Sequence, residues 1–230
     1  MLDFRKVALT QDDFSLRADM QIATGSHVAV IGPSGAGKTT LLSLVSGFLL
    51  PDQGVIAWNG VDLRPLPPGR RPVSVLFQDQ NLFPHLTVAQ NVGLGLRPDL
   101  RLTDDQRAQV AQALDRVGLT GKDDRRPAQL SGGQQSRIAL ARVLLRARPI
   151  LLLDEPFGAL GPALKAEMLQ LLGQIALDTG ATVLMVTHDP DDARAFAPQT
   201  VVVDGGRAAP PVPTGPLLDN PPEGLRAYLG

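Results

Sequence analysis

Four short runs along the chain are apolar at nearly every position: "HVAVIG" (27–32), "PVSVLFQ" (72–78), "PILLLDE" (149–155) and "TVLMVTHD" (182–189). Runs of this length without polar alternation predict strands buried on both faces, and helices between them predict a parallel α/β sheet. The opening segments "LDFRKVALT" (2–10) and "FSLRADMQI" (14–22) alternate instead, as an antiparallel pair with one wet face does. From about 83 to 148 the strand pattern stops. "TDDQRAQVAQALDRVGL" (103–119) spaces Val110, Ala113, Leu114 and Val117 as on a helix, behind Thr103 as N-cap and two acidic first-turn residues. "SGGQQSRIALARVLLRA" (131–147) predicts a second helix with arginines toward its end.

These patterns predict a single α/β domain with a mostly parallel sheet, an N-terminal antiparallel β subdomain and an inserted helical subdomain. The expected division is 1–82 and 149–205 for the α/β core, 83–148 for the helical insert and 206–230 for a tail. That tail holds "AAPPVPTGP" (208–216), so it is expected to pack loosely before a short helix around Leu225.

Composition narrows the partners. Lys plus Arg (22) nearly balance Asp plus Glu (23), so no chain-wide basic field draws the protein to nucleic acid. The absence of cysteine excludes disulfides and thiolate metal sites. "MLDFRKVALT" lacks the apolar core of a signal peptide, and no apolar run nears the roughly 18 residues of a membrane span. A cytoplasmic chain that works on a membrane only through a partner is expected.

The chemistry gathers at strand ends. Gly32-Pro33-Ser34-Gly35-Ala36-Gly37-Lys38-Thr39 fits the phosphate-binding Walker A pattern, with a strand before it and a helix, starting Lys38-Thr39-Thr40, after it. Its glycines let backbone N–H groups curl around a β-phosphate, Lys38 reaches the β/γ-phosphates, and the Thr39 hydroxyl can ligate Mg²⁺. "ILLLDE" ends a buried strand in two carboxylates: Asp154 suits Mg²⁺, and Glu155 suits polarising the water that attacks a γ-phosphate. Gln78 ends a strand expected beside the P-loop strand, where its amide oxygen could reach the metal or the water. His188 ends another, where an imidazole could donate to the γ-phosphate. "LSGGQ" (130–134) adds a hydroxyl and two glycines at a helix start, the composition of an anion-binding N-terminus. One bound nucleotide does not need this second cradle of Ser131, Gly132, Gly133 and Gln134.

With Walker A, Gln78, LSGGQ as the family signature, "ILLLDE" as Walker B and His188 in this order, residues 1–205 resemble the ATP-binding subunits of ABC transporters. The resemblance implies a P-loop NTPase core, ATP and Mg²⁺ as ligands, and a head-to-tail dimer in which each signature serves the partner's ATP. It also implies a transmembrane permease, an extracytoplasmic substrate-binding protein acting indirectly, and a peripheral place on the cytoplasmic face of the bacterial membrane. "PPGRRPVSVLFQDQNLFPHLTVAQNVGLGL" (67–96) and "DEPFGAL" (154–160) resemble the ATPases of bacterial thiamine importers and related importers. In the family the region of Leu82, Phe83, Pro84, His85 and Leu86 helps form a groove for a permease helix. Importers of iron(III), polyamines or oxyanions share the engine, while a soluble nucleic-acid ABC ATPase or a P-loop kinase would need parts this chain lacks. Two departures stand out: Gly161 replaces the family's aspartate in "FGALGP", and the end of the first strand, Val7-Ala8-Leu9-Thr10-Gln11, where the family stacks adenine on an aromatic residue, has no ring until Phe14, leaving Phe14 or Leu9 for that role.

Overall fold

The computed structural model describes residues 1–229. Strands β1 (Leu2–Gln11) and β2 (Phe14–Ile22) form an antiparallel hairpin, and β3 (His27–Ile31) leads through the glycine-rich loop into α1 (Lys38–Ser46). Strands β4 (Gln53–Trp58) and β5 (Val61–Asp62) extend the antiparallel side beyond β1, and β6 (Val73–Leu76) returns to the parallel side. The insert carries α2 (Val88–Gly93), α3 (Asp104–Arg116) and α4 (Gly132–Arg146). There follow β7 (Ile150–Asp154), α5 (Pro162–Thr179), β8 (Thr182–Val186), α6 (Pro190–Phe196) and β9 (Gln199–Asp204). Short β10 (Arg207–Ala208), β11 (Val212–Pro213), α7 (Thr214–Asp219) and α8 (Glu223–Leu229) complete the chain. No helix among the described residues is long and apolar enough to cross a membrane.

The sheet runs β5-β4-β1-β2-β10-β9-β3-β8-β7-β6, with β11 on β9. From β9 to β6 every neighbouring pair is parallel. Alternate residues of these strands face opposite layers, as period-two geometry demands. Val28, Val30, Leu152 and Leu184 meet Leu41, Leu44 and Val45 of α1, while Ile31, Leu151, Leu153 and Met185 meet Met168, Leu169 and Leu172 of α5. Both faces are therefore dry, which explains apolar runs without alternation. The insert has its own core, in which Val110, Ala113, Leu114 and Val117 of the α3 region pack against Ile138 and Ala141 of α4. Thr103 and Gln106 close a reciprocal capping box on α3, with bonds of 3.3 and 3.0 Å.

Two expectations are corrected. The strand before Gln78 does not lie beside the P-loop strand: β8 and β7 stand between β3 and β6, which forms the sheet edge under α1 and α4. Strand order depends on long-range pairing that no local pattern records. Nor does the segment after Gly205 pack loosely. Arg207 and Ala208 pair with both β2 and β9 and so join the antiparallel and parallel halves into one sheet. Ala208 and Leu225 are buried, and the Thr214 hydroxyl donates to the Ala197 carbonyl at 2.6 Å. The prolines begin two residues after this strand and leave it uninterrupted.

Candidate active site

The carboxyl ends of β3, β7 and β8 converge, which is where open α/β sheets hold ligands. The loop after β3 must first turn back on itself. A Cβ at Gly32 would lie 1.9 Å from the Val203 carbonyl oxygen, so only glycine lets the loop pass β9. Gly37 takes φ +109, and a Cβ there would come within 2.7 Å of the Phe14 ring. The first helical bond of α1 is Leu41 N–H to Gly37 O, so the N–H groups of Lys38, Thr39 and Thr40 lack a helical acceptor at the end of the loop. Ser34 and Gly35 at the loop's tip are exposed, and Pro33 and Ala36 are half-buried. The Lys38 ammonium folds back, donating to the carbonyls of Gly32 (2.8 Å) and Pro33 (2.9 Å). Burial holds its pKa below the usual lysine value, against the opposing pull of Glu155 and Asp154.

Asp154 ends β7, and its Oδ2 accepts a bond from the Thr39 hydroxyl at 2.8 Å. Its carboxyl is pushed above the usual range, chiefly by burial and also by the Glu155 charge, while Thr39 and Lys38 act the other way. Glu155 follows with φ +46, a left-handed backbone that costs free energy in a non-glycine residue. The neighbouring strand holds it there, since Glu155 N–H donates to the Val186 carbonyl at 3.1 Å. This turn aims Glu155 away from Asp154 and toward His188, whose Nδ1 lies 3.1 Å from Glu155 Oε2. Gly158, which sequence reasoning passed over, packs beside that pair: a Cβ there would sit 3.7 Å from His188 Cε1 and 3.8 Å from Glu155 Oε2, ordinary van der Waals distances that do not demand glycine.

The structure thus brings Lys38, Thr39, Asp154, Glu155 and His188 together and leaves the other expected residues apart. Gln78 is exposed two residues beyond β6, with no hydrogen bond to Thr39, Asp154 or Glu155 among the described residues. Ser131 is the N-cap of α4, so the signature glycines lie inside the first helical turn and not before it. Ser131 and Gln134 form a reciprocal capping box, with bonds of 3.4 and 3.3 Å. A Cβ at Gly133 would lie 2.3 Å from Leu164, so that glycine admits α5 to close contact, while Gly132 is 3.9 Å from Leu160. Of the two candidates for adenine, Leu9 is only 4% exposed, whereas Phe14 is half-buried against the loop.

A glycine-rich loop feeding a helix, with a hydroxyl in that helix's first turn and two consecutive carboxylates at the end of a strand beside it, defines the class of P-loop nucleotide hydrolases. The ABC transporter family matches this chain over residues 16–158. The thiamine import ATP-binding protein of Cereibacter sphaeroides is 62% identical over 230 residues, covering all of both chains. Among solved structures, an ATP-binding cassette captured as a dimer in a post-hydrolysis state with ADP and Pi aligns with TM-score 0.78 and 28% identity, over 93% of this chain and 99% of its own. cbiO1 from Clostridium perfringens, part of the ABC transporter complex cbiONQ, aligns with TM-score 0.85 and 29% identity, over 95% and 90%. The chain belongs to the ABC transporter family, and it is an ATPase that binds ATP.

Proposed function

We propose that this chain is the ATP-hydrolysing subunit of an importer for thiamine or its phosphates. The observation that carries the hydrolytic reading is the division between two adjacent carboxylates: Asp154 turns to Thr39 and Glu155 to His188. Thr39 Oγ1 and Asp154 Oδ2 are hard oxygen donors beside the phosphate loop, a set that fits Mg²⁺, which takes one or two protein ligands and the rest from phosphates and water. A bound Mg²⁺ supplies charge neutralisation at the β/γ-phosphates. Lys38, released from the Gly32 and Pro33 carbonyls, adds positive charge there, and the N–H groups of Ser34, Gly35 and Gly37 to Thr40 cradle the phosphates in the loop that Gly32, Pro33 and Ala36 shape. Glu155 orients the attacking water, His188 steadies the γ-phosphate, and Gln78 approaches the water or metal from beyond β6. Phe14 stacks on adenine.

The signature residues Ser131, Gly132, Gly133 and Gln134 serve the partner's ATP in a head-to-tail dimer, a reading supported by the dimeric state of the similar cassette. The permease docks on the rim of a cavity of about 630 Å³ lined by Phe77, Leu82, Phe83, Leu94 and Arg142. Phe83, Pro84 and His85 are exposed there, whereas Leu82 and Leu86 are half-buried, and Leu82 packs into the cores below. The chain is thereby held at the cytoplasmic face of the membrane. Thiamine as the solute is supported by the full-length relative. In reconstituted complex, a thiamine-loaded binding protein is expected to raise ATPase activity, while the isolated chain ignores thiamine. Direct thiamine binding to this subunit in calorimetry would contradict the assignment of labour.

A further inference from the structure

We infer that Lys165 is a positioning residue for hydrolysis, holding the loop that carries His188 against the helix that follows the Gly158–Gly161 turn. The inference rests on the reading of His188 and Glu155 as the hydrolytic pair. Lys165 is the fourth residue of α5, a first-turn position where the helix dipole disfavours a cation. The same turn has no side-chain N-cap, because Gly161 occupies that place. A cation kept there calls for a partner, and it has two: Nζ binds Asp189 Oδ2 and, at 2.9 Å, Asp192 Oδ1.

Both carboxylates follow His188, one immediately and one within α6. Asp189 Oδ1 accepts from Asp191 N–H at 2.9 Å and caps α6, while Asp189 N–H donates to the Thr187 hydroxyl at 3.1 Å. The Thr187 hydroxyl also donates to Asp192 Oδ2 at 3.0 Å. The residues before and after His188 are therefore anchored, through Asp192 and Asp189, to one ammonium on another element. Only 18% of the Lys165 side chain and 14% of the Asp192 side chain are exposed, so solvent does little to loosen the tie. The His188 ring itself is 59% exposed, and it reaches Glu155 from a short loop in which the preceding Thr187 is buried. A loop of that kind keeps a 3.1 Å geometry through its anchors, and misplacing a reacting group by about 1 Å costs up to ~100-fold in rate. Lys165 shares α5 with Leu160–Gly161 at its head, so displacement of that turn reaches His188 through the same tie.

The test uses the full chain and single-turnover hydrolysis of labelled ATP, which keeps slow variants readable. Lys165→Met is expected to lower the rate about tenfold with the ATP concentration for half-saturation changed less than about twofold, and Lys165→Arg to recover most of the loss. In a His188→Ala background, Lys165→Met should cost less than about twofold, because the group it positions is gone. An unchanged rate, or the same loss in both backgrounds, overturns the inference. If Lys165→Met does not fold, Asp192→Asn removes one anchor of the same ammonium and must show the same dependence on His188. His188→Ala alone with wild-type turnover would instead overturn the hydrolytic reading on which the inference stands, a result visible before any Lys165 variant is made.

Discussion

The P-loop and the signature, the two motifs proposed to face phosphate, are built in opposite ways. The P-loop side is assembled by the tertiary fold: Lys38, Thr39, Asp154, Glu155 and His188 come from three strand ends, and their placement is costly, with a buried carboxyl raised toward protonation, a depressed lysine and a left-handed glutamate. The signature is assembled locally. Ser131 and Gln134 cap their own helix, Gly133 makes space for Leu164, and nothing in that segment is strained. A site that must act on its own nucleotide carries strain and opposed charges. The signature, proposed above to serve the partner's ATP, is within its own chain an ordinary capped helix start.

The sharpest break in this comparison falls on the strained side. Glu155→Gln should keep Mg-ATP binding, since Lys38, Thr39 and Asp154 remain, yet lower turnover by roughly 10²–10⁴-fold, the range for a general acid–base group. The variant should accumulate as an ATP-bound dimer in gel filtration. Substantial residual turnover would remove Glu155 from the reaction.

On the unstrained side, the question is whose ATP the signature serves. Lys38→Ala breaks a P-loop and keeps a signature, while Ser131→Arg does the reverse. A mixed dimer then holds one site with both halves broken and one with both intact. Hydrogen bonds to charged groups contribute roughly 1.5–3 kcal/mol each, so an intact site stands out by about tenfold or more. With Glu155→Gln in both chains, occluded labelled ATP should be higher in the mixture than in either variant alone. Equal occlusion would mean that the signature acts within its own chain.

What the chain discloses before folding follows the same division. Strands β3, β7 and β8 are legible because burial on both faces leaves no polar alternation, and α3 because its cap and apolar stripe are local. LSGGQ is legible as a motif, but the sequence gives no hint that Gly133 also answers to Leu164, thirty-one positions away in the chain. β10 escapes notice because two residues between turn and prolines carry no period. The φ of Glu155 and the reach of Lys165 to Asp189 are products of strand pairing and helix docking, which local pattern does not encode. A lone cation in a first helical turn was the available signal for Lys165.

The cost of the strained side should also be visible as stability. Because burial raises the Asp154 pKa above its unfolded value, the ionised group destabilises the nucleotide-free fold at neutral pH. Asp154→Asn keeps an acceptor for Thr39 and removes the charge beside Glu155, so Tm without Mg-ATP should rise, by about 2–4 °C for each kcal/mol gained. The sign fixes the pH dependence: the gain belongs to the ionised form, so it should shrink as pH falls through the raised pKa into the ordinary carboxylate range and vanish below it. A lower Tm at neutral pH would show that the charge is compensated.

The smallest expected effect lies where the two sides meet, at Gly161. Its φ of −65 suits any residue, and a Cβ there meets no heavy atom within 4 Å, so an aspartate enters without displacing its surroundings. As N-cap of α5 it would accept a first-turn N–H that now has no side-chain cap, worth only a few tenths of a kcal/mol over glycine. Four residues before Lys165 it would also add an attraction of about 0.2–0.5 kcal/mol. Gly161→Asp should therefore raise Tm by about 1–3 °C. It also restores a side chain able to cross between two copies, so the Hill coefficient for ATP should rise or hold while activity persists. An inactive Gly161→Asp enzyme would mean that the meeting of the two sides has been rebuilt around glycine, with the backbone there in contact with the partner.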